Sequence, residues 1–336
     1  KKQTPSFDVK GKFKAEGHIV IGNNNTIILD SSKTSLEKQV EEMEANLTEV
    51  TNRLEHDQVD SDVSQSRVNL EEYKKVLDIL ESGQSLENKA RLRTLYYTTT
   101  DKVAQIQIIL LLAEWYMPQE DNEEDLIALC DEGIALADEI NAKQEKAVLL
   151  AYKGDFISIQ FSNLDFETAS SNLIANQVGI SLTTKEQHDE VVRKLNSLYE
   201  SSDKCFKEAE RLAKEINSYK ALGFVYRKIS VAAGHRYIHL KAFGAGMAEG
   251  EKQLAKRAFR LSKNIYASAN DELEIAYTYY NFANQLRNFG ETEEAKRLLE
   301  EAKSIALRYN EVSLVNAANL LSDRIRTGYI PDAGSY

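Results

Sequence analysis

The stretch Ala276–Ala302, AYTYYNFANQLRNFGETEEAKRLLEEA, indicates how most of this chain folds. Its apolar residues recur at steps of three and four on both sides of Gly290, which is the spacing of two amphipathic helices joined by a short turn. Ala283 and Ala302 are small, so the two helix backbones can approach each other closely. We therefore predict an antiparallel pair of helices here.

Similar segments recur along the chain: GIALADEIN, AERLAKEIN, AFRLSKNIY and AKSIALRYN. A single helix pair cannot bury its apolar face alone, so we expect repeated pairs to stack into a solenoid. We predict four pairs between residues 90 and 326, an insertion near 161–190, and a flexible loop at FGAGMAEG, residues 243–250. The equivalent positions of the four segments, spaced 76, 49 and 44 residues apart, are Leu136, Leu212, Leu261 and Ile305, followed by Ala137, Ala213, Ser262 and Ala306.

The opening stretch resembles a tetratricopeptide repeat. The match consists of Tyr279, Phe282, Ala283, Leu286, Gly290, Ala295, Leu299 and Ala302. This resemblance implies that the first helix of each pair lines a groove that binds a protein or peptide partner. The tyrosines could instead pack between repeats. The lysine and asparagine positions that hold a free C-terminus in the family are matched only by Asn284. The groove positions in this repeat are Tyr277, Tyr280, Asn284 and Arg287.

Charge is unevenly distributed along the array. Residues 227–263 contain nine lysines and arginines against two acids, whereas residues 120–139 contain nine acids and no base. We predict that the two segments guide docking between arrays or onto a partner, with ordinary solvated helix faces as the alternative. The residues predicted to form a basic patch are Arg227, Lys228, Arg236, Lys256 and Arg257.

No sequence motif indicates an enzyme or a cofactor. His235 and His239 are four residues apart, but the run HRYIH lacks the glutamate of a zinc-protease helix. We found no phosphate loop, dinucleotide fingerprint or nucleophile elbow. We therefore predict neither catalysis nor a bound metal or cofactor.

The segment Glu16–Leu29, EGHIVIGNNNTIIL, alternates and turns like a β-hairpin. It resembles the core of the RIP homotypic interaction motif and its bacterial relatives, with Val20 where the eukaryotic motif prefers glutamine. That resemblance implies self-assembly through stacked β segments, as does the uncharged, asparagine-rich composition. Alternatives are packing on the chain's own helices or a small β layer that closes a discrete oligomer. The predicted self-assembly residues are Ile19, Val20, Ile21, Gly22, Asn24, Asn25 and Ile27.

Composition narrows the class of protein. The chain has 336 residues, of which 42% are hydrophobic and 28% charged, as in a soluble globular protein. A formal net charge of -11 argues against a general nucleic-acid coat. The sequence has no apolar run of membrane-spanning length and no leader before the hairpin, and only Cys130 and Cys205 are present. We therefore predict a cytoplasmic protein that does not enter a membrane.

Together these patterns predict an all-α protein. Residues 1–33 form a β-hairpin assembly segment, residues 34–89 a helical connector with a heptad seam from Leu36 to Leu54, residues 90–326 the array, and residues 327–336 a tail. We predict an oligomerising adaptor that binds a partner through the array, by resemblance in bacterial antiviral or stress signalling. The alternative is a peptide-responsive regulator without higher assembly.

Overall fold

The computed structural model describes residues 60–82, 85–115, 122–177, 185–243 and 245–327. The predicted hairpin, the heptad seam and the tail after Thr327 lie outside these residues. All regular secondary structure within the described ranges is helical, which confirms the all-α class for that part of the chain. The helices are α1 (Asp60–Glu81), α2 (Leu86–Thr98), α3 (Lys102–Glu114), α4 (Glu123–Glu139), α5 (Lys143–Gln177), α6 (Lys185–Glu215), α7 (Tyr219–Phe243), α8 (Ala245–Ser268), α9 (Glu272–Phe289), α10 (Thr292–Arg308) and α11 (Val312–Thr327).

The helices form two layers. Each helix packs on the next in sequence, which gives the pairs α3/α4, α5/α6, α7/α8 and α9/α10, followed by α11. In addition, α3, α5, α7, α9 and α11 each contact the next member of that series, so we call them the inner helices. Helices α4, α6, α8 and α10 are the outer helices, and each has an exposed face. One continuous cluster of buried residues extends from Tyr73 in α1 to Ile325 in α11.

The outer helices all end in the same turn. The second residue after each of these helices is an asparagine with a left-handed backbone, at φ values from 53° to 58°. The next N–H donates to a carbonyl five residues back, as from Ala142 to Ala137 at 2.8 Å and from Glu311 to Ala306 at 2.8 Å. This is a Schellman motif, and asparagine tolerates its left-handed position better than most residues. The four turn asparagines are Asn141, Asn217, Asn270 and Asn310.

These turns correct one part of the repeat alignment. In the third turn the N–H of Asp271 donates to the carbonyl of Tyr266 at 2.9 Å. Tyr266 is therefore the equivalent of Ala137. In the alignment of the four recurring segments, that place was assigned to Ser262. The third segment was aligned one helical turn too early, because apolar residues recur at every turn of an amphipathic helix.

Small residues and hydroxyl groups bring the inner helices α5 and α7 close to their outer partners. A Cβ on Gly154 would lie 3.0 Å from the ring of Phe206, and one on Gly223 would lie 2.5 Å from the ring of Tyr266. Ser202 donates a hydrogen bond to the carbonyl of Gly154 at 2.8 Å. Ser262 makes the same bond to Gly223 at 2.9 Å. The α5/α6 and α7/α8 pairs thus share one packing arrangement.

Long helices account for the widest repeat spacing. Helices α5 and α6 contain 35 and 31 residues, whereas α9 and α10 contain 18 and 17. The predicted insertion is therefore helical on both sides of residues 178–184. The flexible loop predicted for residues 243–250 is wrong, because α7 continues to Phe243 and α8 begins at Ala245.

Candidate partner-binding face

Equivalent residues of the inner helices can be found by counting from the turn asparagines. The tenth, fourteenth and seventeenth residues after each asparagine, which we call the inner positions, point toward the next inner helix. Thus Asp155 of α5 contacts Lys228 of α7, and Gly234 of α7 adjoins Gln285 of α9. The inner positions are Ala151, Asp155 and Ser158 in α5; Arg227, Val231 and Gly234 in α7; Tyr280, Asn284 and Arg287 in α9; and Leu320, Arg324 and Thr327 in α11.

The inner positions become more accessible toward the C-terminal end of the array. All three are buried in α5 and in α7, all three are half-buried in α9, and all three are exposed in α11. The contact between α9 and α11 is smaller than the contacts of α5 with α7 and of α7 with α9, and no described helix follows α11. We call the accessible surface formed by the inner positions of α9 and α11 the α9–α11 cleft.

Around α7 the inner layer is closed by ion pairs. Lys228 Nζ lies 2.6 Å from Asp155 Oδ2, and Arg227 lies 2.8 Å from Glu274 Oε2; all four side chains are at most 6% exposed. The Arg227 guanidinium also lies 5.5 Å from the ring centroids of Phe224 and of Tyr266. Removing one partner of such a pair would leave a single buried charge, which lowers the stability of the folded protein.

These contacts correct the predicted basic patch. Arg227, Lys228 and Arg236 are buried, and the third of them pairs with Glu251 at 3.0 Å. Lys256 is half-buried and binds Glu291 at 2.8 Å. Of the five residues in the predicted patch, only Arg257 is exposed. The local excess of lysine and arginine is thus largely neutralised inside the array, so it does not form a continuous basic surface.

The cleft between α9 and α11 differs from the layer around α7 in the pairing of its charges and in its exposure. Burial raises the pKa of Tyr280 to about 12, while the charges of Arg324 and Arg287 both act to lower it. Arg324 forms no ion pair within the described part of the chain; the neighbouring Asp323 pairs with Arg326 at 3.1 Å. Leu320, one helical turn before Arg324, is 52% exposed.

Tyr277 does not line this cleft. It is only 1% exposed, and burial raises the pKa of its phenol. It is the seventh residue after Asn270, and the seventh residues after the other turn asparagines, Val148, Phe224 and Ala317, are also buried. Tyr277 therefore packs between helices, which was the alternative considered for the tyrosines. Tyr280, Asn284 and Arg287 are all half-buried on one side of α9.

The sequence analysis did not predict Leu320 and Arg324, two of the exposed inner positions of α11. Both could have been found by counting from Asn310 in the way that Tyr280 and Asn284 are counted from Asn270. The resemblance to a repeat is weaker in α11, so no groove position was predicted there.

Among the described residues there is no group of three or more His, Cys, Asp or Glu side chains that could hold a metal ion. Burial lowers the pKa of His235, and His239 packs edge-on against Phe161 with 6.2 Å between ring centroids. No helix in the described ranges has the length and apolarity needed to cross a membrane. The predicted self-assembly residues lie outside those ranges.

Comparisons with known proteins identify no family for the chain. No family model matches the sequence. No curated protein matches it either. Among solved structures, the chain is similar to BtubC (BKLC) from P. vanneervenii, at 14% sequence identity and a TM-score of 0.40, over 89% of this chain and 94% of that chain.

Proposed function

We propose that this chain is a non-enzymatic adaptor that binds a protein or peptide partner in the cleft between α9 and α11. The supporting observation is the change in accessibility of the inner positions, which are buried in α7 and half-buried or exposed in α9 and α11. The cleft offers an aromatic ring, an amide and guanidinium groups, which together can bind a peptide backbone and its side chains.

A second part of the proposal concerns assembly. The N-terminal segment with Ile19 and Ile21 joins copies of the chain, as its composition and its resemblance to β-stacking segments suggest. By the same resemblance, the adaptor belongs to bacterial antiviral or stress signalling. A reducing, cytoplasmic location fits its two free cysteines, of which Cys130 is buried and Cys205 half-buried.

Partner binding can be tested by placing a photo-crosslinking amino acid at Asn284 in the full chain. We expect a crosslinked protein adduct in cells, and we expect the additional substitutions Tyr280→Ala and Arg287→Ala to abolish it. The matched control places the crosslinker at Asn319, which is exposed on α11 outside the inner positions. Equal adducts from Asn284 and Asn319, or none from Asn284, would contradict the proposal.

Assembly can be tested separately by light scattering of the full chain. We expect oligomers that dissociate to monomers when Ile19 and Ile21 are both replaced by aspartate. Replacing Ser31 and Ser32 by aspartate adds the same charge just outside the segment and should leave the oligomers intact. A chain that is monomeric without any substitution would favour the peptide-responsive regulator instead.

A further inference from the structure

Helix α2 has a stripe of exposed residues with a large apolar side chain at each end. Leu86 is 58% exposed and Tyr97 is 80% exposed. They are eleven residues apart, which is about three helical turns, so both lie on one side of the helix. The two residues between them on this side are exposed as well. The stripe, which we call the α2 stripe, consists of Leu86, Ala90, Arg93 and Tyr97, at steps of four, three and four residues.

The described neighbours of α2 leave this stripe uncovered. Helix α2 contacts α1 and α3, and it does so with its other side, where Leu92 and Leu95 are buried. Exposed large apolar side chains that lie side by side indicate a surface that another segment covers. Helix α1 has no such surface between residues 70 and 80. Its exposed residues there are all charged: Glu71, Lys74, Lys75 and Asp78.

The heptad seam that precedes α1 has the same spacing as the α2 stripe. Two helices whose apolar residues recur at steps of four and three can interlock, because each side chain fits between those of the facing helix. The seam is shorter than three heptads, and a coiled coil between chains is indicated only by longer seams. Packing on a neighbouring helix is therefore favoured. The seam residues are Leu36, Val40, Met43, Leu47, Val50 and Leu54.

The seam and the α2 stripe belong to segments of opposite charge. Residues 36–54 contain five acids and two bases, which gives a formal net charge of -3. Helix α2 contains three bases and one acid, which gives +2. Opposite net charges favour the approach of the two segments and oppose the pairing of one seam with another copy of itself.

The chain is long enough for the seam to reach the α2 stripe. Tyr73 in α1 donates a hydrogen bond to Asp101, three residues after α2, at 2.8 Å. The end of α2 is thus level with the middle of α1. From Tyr73 back to Asp60 helix α1 extends about 20 Å, and the seam as a helix would extend about 27 Å. A seam that folds back along α1 would therefore extend past the end of α2, beside the stripe.

Other exposed apolar residues lie outside this reach. Leu307, Tyr309 and Val312 are each at least 50% exposed. They belong to the last outer helix and the start of α11, at the end of the array opposite to α1, whose contacts are with α2 and α3. Within one chain, the α2 stripe is therefore the exposed apolar surface that the seam can cover.

We propose that the heptad seam docks on the α2 stripe of the same chain and adds a further helix to the start of the array. The contact removes the side chains of Leu86 and Tyr97 from water, which stabilises it. It also holds the preceding segment, Glu16–Leu29, at the α1 end of the array. This inference is independent of partner binding by the α9–α11 cleft, and its failure would leave that proposal unchanged.

The first test places a photo-crosslinking amino acid at position 97 in the full chain. Isotopically heavy and light preparations are mixed in urea and refolded together. We expect crosslinks to residues 36–54, found by mass spectrometry in all-heavy or all-light products. The matched control has the crosslinker at Arg91, which is exposed on another side of α2, and should give no such crosslink. Products that join a heavy and a light chain would assign the stripe to a second copy and overturn the inference, as would equal crosslinks from both positions or none from position 97.

The second test measures how fast trypsin cleaves the full chain after Lys38 and Arg53, the bases of the seam. We expect slow cleavage of the original chain and cleavage roughly tenfold faster in Tyr97→Glu and in Leu86→Glu, because a released seam is open to the protease. Thr98→Glu is the matched control: it adds the same charge at the next exposed residue, outside the stripe. Rapid cleavage of the original chain, or equal rates for Tyr97→Glu and Thr98→Glu, would overturn the inference.

Discussion

Helices α7 and α9 have equivalent positions with opposite surroundings. Ten residues after its turn asparagine, α7 has the buried Arg227, and α9 has the half-buried Tyr280. The difference arises from the next inner helix: α9 covers α7 and supplies Glu274, whereas α11 makes a smaller contact with α9. A residue's place in the repeat therefore fixes its direction, and the neighbouring helix decides whether it is available to a partner.

Breaking a buried ion pair of α7 should have the largest effect on stability. Replacing Lys228 by methionine leaves the carboxylate of Asp155, itself 3% exposed, without its cation. We expect the free energy of unfolding, measured with urea, to fall by about 3–5 kcal/mol. Adding Asp155→Leu should restore much of that loss, because the double variant removes both charges. A loss as small as that from breaking the exposed Lys296–Glu293 pair would contradict the closed inner layer.

Disturbing the close packing of α7 on α8 should have the next-largest effect on stability. A Cβ on Gly223 would lie 2.5 Å from the Tyr266 ring, so Gly223→Ala forces this buried ring to move. We expect a loss of about 1–3 kcal/mol in the free energy of unfolding. Gly250→Ala is the matched control: this glycine is within α8 and has no atom within 4 Å of an added Cβ. It should stabilise the protein by about 0.5–1 kcal/mol, and equal effects of the two substitutions would contradict the packing.

The sequence predicted the helix pairs but not the contacts between them. The segments ending at Asn141, Asn217 and Asn310 were recognised because they share a leucine or isoleucine followed by an alanine at equivalent positions. Burial of Lys228 could not be predicted, since its partner Asp155 is 73 residues away in the sequence. Likewise, Tyr277 and Tyr280 are chemically identical, and only the three-residue step around the helix makes one buried and the other half-buried.

The ion pair between α7 and α9 predicts a pH dependence. Burial raises the pKa of Glu274 to about 7, although Arg227 opposes this. Between about pH 4.5 and pH 7 the folded chain holds a proton that the unfolded chain has released, so stability should fall as pH rises. We expect this carboxyl to contribute a decrease on the order of 2 kcal/mol.

The contribution of Glu274 can be isolated by comparing urea unfolding of the original chain and Glu274→Gln across this pH range. The decrease should be absent in the variant. It should persist in Glu272→Gln, which changes a carboxylate that is 49% exposed on the same helix. Identical pH profiles for the original chain and Glu274→Gln would contradict the assignment.

The cleft residues should have the smallest effect on stability. Arg324→Ala and Asn284→Ala remove side chains that are exposed and half-buried. We expect each to change the free energy of unfolding by no more than about 0.5 kcal/mol, yet to weaken binding of the partner. Circular dichroism during urea unfolding provides the first measurement, and co-purification of the partner from cells provides the second. A loss of stability comparable to that of Lys228→Met would mean that these residues serve packing instead.

Hydroxyl-radical footprinting of the full chain tests the central contrast most directly. Leu320 is 52% exposed, whereas Phe224 and Tyr277 are each 1% exposed. We predict rapid oxidation of Leu320 and slow oxidation of Phe224 and Tyr277. Oxidation of Phe224 as rapid as that of Leu320, or a Leu320 that is protected from oxidation, would contradict an inner face that is closed at α7 and open at α11.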